Sequence, residues 1–98
     1  MSVEIKTFAN FREIVGEKKI EVPGKTVGEC LVNLIEEHED LKDEIFDDYS
    51  NRELNDFVNI LVDGERLETI DGLDQEVENG TTISIFPPVS GGMKTSGL

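Results

Sequence analysis

Apolar and polar residues alternate at the start of the chain, with Val3, Ile5 and Thr7 on one parity and Glu4 and Lys6 on the other. A period of two places successive side chains on opposite faces of a strand, so a first strand is predicted from about Val3 to Phe8. The alternation is lost from Phe8 to Gly16, which reads as a short helical turn or loop with apolar anchors. It returns over Lys19-Ile20-Glu21-Val22 and stops at Pro23-Gly24, a turn signal. The first two strands are expected to pair as a hairpin-like unit.

The pattern then changes to a helical one. Thr26-Val27-Gly28-Glu29 has the form of a capping box, in which Thr26 accepts from a first-turn N–H and Glu29 reaches back to the Thr26 N–H. Val27, Cys30, Leu31, Leu34 and Ile35 follow along one stripe, so a helix is predicted from Val27 to about His38, packed on the sheet. Gly28 weakens that helix slightly and suits a close approach to a strand. Residues 39–56 are dense in charge, with Leu41, Ile45, Phe46 and Tyr49 as apolar points. They predict a short second helix from about Asp40 to Phe46 and a loop over Asp47 to Asn51.

Phe57 to Val62 is apolar and β-branched, which predicts a strand, expected at the centre of the sheet. Asp63-Gly64 marks a turn, Glu65 to Glu68 a short edge strand, and Gly72-Leu73 and Asn79-Gly80 further turns. Thr82 to Phe86 alternates cleanly and closes at Pro87, because two successive prolines cannot donate to a ladder. The element order is strand, strand, helix, strand, short strand, strand. A helix crossing from the strand pair to a third strand beside the first makes an α+β mixed sheet with one main helix on one face. Residues 1–89 are assigned to this domain and residues 90–98 to a flexible C-terminal tail.

Size and charge narrow the function. A chain of 98 residues is one domain with a modest core. It has 22 Asp and Glu against 9 Lys and Arg, a formal net charge of −13. That balance argues against direct binding to nucleic acid or an anionic membrane, permits docking on a basic protein surface, and serves solubility equally well. A single cysteine, Cys30, allows no internal disulfide. No apolar run approaches the ~20 residues that span a bilayer, and the N-terminus lacks the layout of a signal peptide. A cytoplasmic location is expected.

Conventional catalytic chemistry is sparse. Cys30 falls on the apolar helix stripe and reads as a small buried hydrophobe, with a thiol nucleophile as the alternative. His38, the one histidine, has no partner for a zinc site, and no metal is expected. The acidic runs Glu36 to Asp40 and Asp47-Asp48 read as a solvated face and lack calcium-loop spacing. There is no phosphate-cradling glycine loop and no nucleophile elbow. A self-sufficient enzyme is therefore the least expected reading.

Four stretches carry a resemblance over nearly the whole chain. They are Phe8-Ala9-Asn10-Phe11-Arg12-Glu13, Thr26-Val27-Gly28-Glu29, Asn59-Ile60-Leu61-Val62-Asp63-Gly64, and Gly80 with Phe86-Pro87-Pro88-Val89-Ser90-Gly91-Gly92. In this order they resemble the MoaD/ThiS group of ubiquitin-like sulfur carriers, and within it the small archaeal modifier proteins. The resemblance implies a β-grasp (ubiquitin-like) fold. It also implies that a ubiquitin-activating-type enzyme adenylates the Gly92 carboxylate with ATP. The product is then a thiocarboxylate, for sulfur transfer to a molybdopterin precursor or tRNA, or an isopeptide bond to a protein lysine. ATP belongs to the activating enzyme, and no cofactor is expected on this chain. Further partners implied are a molybdopterin synthase large subunit, modified target proteins and a processing protease.

The residues suit that use. Gly91 and Gly92 lack a Cβ and fit a narrow passage, with Ser90 leading into them. Pro87 and Pro88 stiffen the stem, and Val89 continues it. Phe86 stands where body meets tail and can anchor a partner. On the resemblance, Phe8 and the face around Leu61 join that patch. Each feature has a plainer reading: Phe86 as core, Pro-Pro as a strand stop, Gly-Gly as a linker. The competing readings are the small subunit of a molybdopterin synthase only, on the same resemblance, and a plain β-grasp interaction module without tail chemistry.

One departure matters. Met93-Lys94-Thr95-Ser96-Gly97-Leu98 follows Gly92, which therefore has no free carboxylate as written. A protease removes the extension, or it is an appended expression remnant, or this member is never activated.

Overall fold

A computed structural model describes residues 2–55, 58–67 and 72–87. Strand β1 (Ser2–Thr7) follows the predicted alternation, burying Val3, Ile5 and Thr7 and exposing Lys6. It ends one residue before Phe8, which instead heads helix α1 (Ala9–Val15) in an extended conformation. The Phe8 carbonyl accepts from the N–H groups of Phe11 (3.1 Å) and Arg12 (3.4 Å). Gly16 closes the helix at φ +86°, a left-handed turn that glycine adopts without steric cost. Strand β2 (Lys19–Pro23) then returns antiparallel to β1.

Helix α2 (Val27–Glu37) buries Val27, Cys30, Leu31, Leu34 and Ile35, the predicted stripe. Its cap differs in one bond. Thr26 Oγ1 accepts from the Glu29 N–H at 3.1 Å as expected, but the Glu29 carboxylate accepts from the Lys25 N–H at 3.0 Å, not from that of Thr26. The chain enters the helix extended and bridged to Glu76, so the carboxylate meets the N–H one residue further back. Gly28 is also explained differently. A Cβ there would stand 3.0 Å from the Leu73 carbonyl oxygen, so the close approach is to the 3₁₀ turn Gly72–Asp74, not to a strand.

Strands β5 (Asn59–Val62), β6 (Glu65–Arg66) and β7 (Thr82–Phe86) complete a five-stranded sheet in the order β2-β1-β7-β5-β6. β1 and β7 are parallel and the other pairs antiparallel. The centre therefore belongs to β7, not to the strand ending at Val62, and it is β7 that lies beside β1. The apolar, β-branched run Phe57 to Val62 predicts a central strand. Leu61, however, lies only half-buried on the helix-free face, and β5 has just the two-residue β6 outside it. Phe57, placed in this strand by its sequence, and Glu68, placed in the edge strand, lie outside the described residues.

The acidic segment is more structured than its composition predicts. A 3₁₀ turn (Glu39–Leu41) leads into α3 (Lys42–Ile45), so the helix expected over 40–46 is split in two. Strands β3 (Phe46–Asp48) and β4 (Glu53–Leu54) then form a two-stranded ribbon where Asp47 and Asp48 read as loop. Strands of three and two residues are too short to show alternation. Turn chemistry helps to hold them: the Asp48 carboxylate accepts from the Asn51 N–H (3.2 Å) and Nδ2 (2.8 Å). Leu41, Ile45 and Phe46 anchor the segment, at 0%, 0% and 2% exposure.

Most of the core lies between α2 and one face of the sheet. Val3, Ile5, Leu31, Leu34, Ile83 and Ile85 are all fully buried there. Removing a whole apolar side chain from such a site costs about 2–5 kcal/mol, because the lost transfer energy adds to an unfilled cavity.

Candidate functional site

The opposite face of the sheet has no helix over it among the described residues, and the chain leaves it at Phe86-Pro87. Strand pairing decides which side chains share this face. Asn59 is opposite Phe86, and Leu61 is opposite Ser84. Ser84 is level with Lys6, Lys6 with Lys19, and Leu61 with Arg66. Glu4 is level with Thr82 and opposite Glu21. The face is thus three rows deep along the strands: an aromatic row at the exit, a cationic row across the middle, and a carboxylate row beyond.

The exit row is built by the turn from β1 into α1. Thr7 is level with Ile85, so Phe8, the next residue, arrives beside Phe86. Their rings stack with centroids 4.3 Å apart and planes 11° from parallel. Contacts of this kind contribute about 0.5–1.5 kcal/mol beyond buried area. Both rings stay half-exposed, and neither joins the buried core, which excludes the reading of Phe86 as a core residue.

Two features hold Phe8 in place. The Arg12 guanidinium lies 5.6 Å from the Phe8 ring centroid, and Arg12 Nε donates to the Thr7 carbonyl at 3.2 Å. Ala9 adopts φ +53°, a conformation that costs a residue with a Cβ about 1–2 kcal/mol. That strain turns the chain abruptly from strand to helix and leaves the Phe8 ring on the open face. Arg12 and the turn at Ala9 escaped the sequence reading. Nothing in the residue types signals a left-handed alanine, but the strand alternation did place Lys6 and Ser84 on the face away from the core.

Leu61 joins the open face, diagonal to Phe86 through the Asn59–Phe86 and Leu61–Ser84 pairs. Phe8, Leu61, Phe86 and Pro87 are therefore brought to one end of one surface. Pro88, Val89, Ser90, Gly91 and Gly92 lie outside the described residues, as does the remainder of the tail assigned to 90–98.

The other candidates sit elsewhere. Cys30 is fully buried in α2, and burial, with the Glu29 charge added, pushes its thiol above the ordinary range. It is a neutral packing group at physiological pH, not an activated nucleophile. Among the described residues no three His, Cys, Asp or Glu side chains converge as metal donors. No helix among them is long and apolar enough to cross a membrane.

The parallel pairing of first and last strands, one helix across the sheet and an exit beside Phe86 match the β-grasp plan. Comparison of the sequence with family profiles decides the matter: the profile of the ThiS family matches residues 5–92. The chain belongs to the ThiS family. It is 36% identical over 95 residues to small archaeal modifier protein 3 of Haloferax volcanii, covering 94% of this chain and all of that one. The crystal structure of small archaeal modifier protein 1 from the same organism superposes with a TM-score of 0.80 at 34% identity, covering 93% of this chain and 99% of the other. A CysO chain, from the BexX/CysO complex of Amycolatopsis orientalis, superposes with a TM-score of 0.78 at 30% identity, covering 91% and 98%. Both superpositions show that this chain has the fold of those proteins.

Proposed function

We propose that this chain is a ubiquitin-like sulfur carrier and protein modifier, activated by a separate enzyme at the carboxylate of Gly92. The observation that carries the reading is the extent of the family match, which runs through the domain and on to residue 92, the second glycine of Gly91-Gly92. The names of its relatives, a small archaeal modifier and a sulfur carrier, point to the same pair of uses. CysO, named a sulfur carrier protein among the relatives, has a structure in complex with BexX, which supports docking on a partner protein as the mode of action.

The chemistry balances simply. A Gly92 carboxylate oxygen attacks the α-phosphorus of ATP, and pyrophosphate leaves. Hydrosulfide then attacks the carbonyl carbon of the acyl adenylate; AMP leaves, a proton is released and a thiocarboxylate remains. A lysine amine attacking the same carbon gives an isopeptide bond, AMP and a proton. This chain contributes the slender end and the surface that presents it. Phe8, Phe86 and Leu61 would seat against the activating enzyme, Pro87 and Pro88 would direct the stem, and Val89-Ser90-Gly91 would thread towards the ATP. None of this can begin while Met93 is bonded to Gly92. Hydrolysis of that peptide bond, or a chain made without the extension, is the enabling step.

The test uses two chains, one ending at Gly92 and one at Leu98, each mixed with the adenylating enzyme of the same cells, ATP and sulfide. Intact-mass spectrometry should show oxygen replaced by sulfur only in the chain ending at Gly92. An unchanged mass for that chain, with an enzyme active on another carrier, would refute the proposal. Recovery of lysines bearing a tail remnant from the native cells would assign conjugation as well.

A further inference from the structure

We infer that the cationic row on the open face of the sheet is a docking surface for an acidic partner, one whose carboxylates surround an apolar hollow. The inference rests on the proposed docking with an activating enzyme and specifies what that enzyme's surface must look like.

The distribution of charge carries it. The chain has only 9 Lys and Arg against 22 Asp and Glu. Yet Lys19, Lys6, Ser84, Leu61 and Arg66 form one continuous register row across all five strands, with three cations and no carboxylate. Strands lie about 4.8 Å apart, so Lys19 and Arg66 bracket the row over about 19 Å. All three cations are exposed, while Ser84 and Leu61 between them are half-buried. Arg12 adds a fourth cation beside Phe8 in the aromatic row.

Among the described residues, the strand-register carboxylates of this face lie towards the far end, while Glu17 and Glu37 line a hollow beside Lys19 at the β2 edge. Glu4 and Glu21 occupy the next row away from the exit. Glu4 is in part neutralised by Lys19 at 3.6 Å, and Asp63 accepts from the Thr82 N–H at 3.0 Å. Along the strands the face therefore runs from aromatic to cationic to acidic. Scattered solubilising charges would not sort in this way on a chain of net charge −13. A basic partner would be drawn to almost any other surface of this chain. An acidic partner would be repelled by the net charge and attracted most strongly where three cations align in one row, which would set the orientation in which Phe8 and Phe86 arrive.

The experiment measures association with the adenylating enzyme by stopped flow, using the chain ending at Gly92, over a range of salt. Two charge-reversed pairs have the same net charge: Lys6→Glu with Arg66→Glu on the face, and Lys25→Glu with Lys42→Glu away from it. Circular dichroism and thermal melts check that each folds. The face pair should associate about tenfold or more slowly at low salt, with the gap closing at high salt, while the distant pair stays within about twofold of the parent. Equal slowing of both pairs, no slowing of either, or a parent rate that rises with salt would overturn the inference. So would salt-sensitive self-association abolished by the face pair, which would assign the row to a second copy. Rates and adenylation are read separately. Face-dependent docking without adenylate sinks only the tail chemistry, and adenylation indifferent to the face pair sinks only the docking surface. Absence of any binding sinks both.

Discussion

The two faces of this sheet are made from the same strands, yet they do opposite work. On the helix side, Val3, Ile5, Ile83 and Ile85 are completely buried under α2. On the open side, the residues alternating with them are Glu4, Lys6, Thr82, Ser84 and Phe86. The inner face follows a rule of volume, in which any well-fitting apolar group serves. The outer face, in the docking proposed above, follows a rule of identity, because its aromatic stack, cations and chain exit would be read by another molecule. Stability and the proposed recognition are thereby separated by one residue of register, and substitutions on the two faces should fail in different assays.

The sharpest contrast comes from the core. Ile83→Ala should lower unfolding stability by about 2–5 kcal/mol, read from denaturant midpoints. Any of it that still folds should bind partners with the affinity of the parent. Loss of binding without loss of stability would break the division between the faces.

A smaller effect on stability and a larger one on recognition is expected from the exit row. Phe86→Ala should weaken binding to the activating enzyme by about 2 kcal/mol or more while changing stability by about 1 kcal/mol or less, since the ring is half-exposed. Calorimetry on Phe8→Ala, Phe86→Ala and the double variant should give a coupling of about 0.5–1.5 kcal/mol for the stack. Strict additivity would mean that the two rings do not act as a unit.

The smallest effect lies away from both faces, in the β3–β4 ribbon. Bonds from Asn51 hold the Asp48 carboxyl below its ordinary value of 3.8. The unfolded chain therefore takes up that proton first as pH falls. Asp48 stabilises the fold above pH 3.8 and loses that contribution as the pH drops through and below it. Asp48→Asn should slightly flatten the acid limb of a stability–pH curve and leave binding unchanged. A steeper limb would show that the ribbon is held in some other way.

Much of this arrangement was legible before any coordinates. The strand alternation at Val3–Ile5 and Ile83–Ile85, the stripe on α2 and the end of β2 at Pro23 each depend on a few neighbouring residues, and each appeared where expected. Errors arose where the cause was distant. Phe57 to Val62 read as the central strand because it is apolar and β-branched, whereas strand order depends on partners distant in sequence. The ribbon at Phe46–Leu54 was hidden because its strands are too short to show a period. The bond of Glu29 to Lys25 depended on a bridge to Glu76, nearly fifty residues later in sequence.

The site divides in the same way. Gly91-Gly92 and the Phe-Pro-Pro stem could be recognised from sequence because a slender, stiffened chain end is a local property of residue types. Sequence alone therefore pointed to the family and to the strand and helix faces, and it supplied Gly92, whose carboxylate the proposed chemistry requires. Only the tertiary structure could put β7 between β1 and β5. That placement stacks Phe8 on Phe86 and lines up Lys19, Lys6 and Arg66 across five strands. The physical reason is that a two-residue period specifies which side of a strand a residue faces but carries no information about which strand lies next to it.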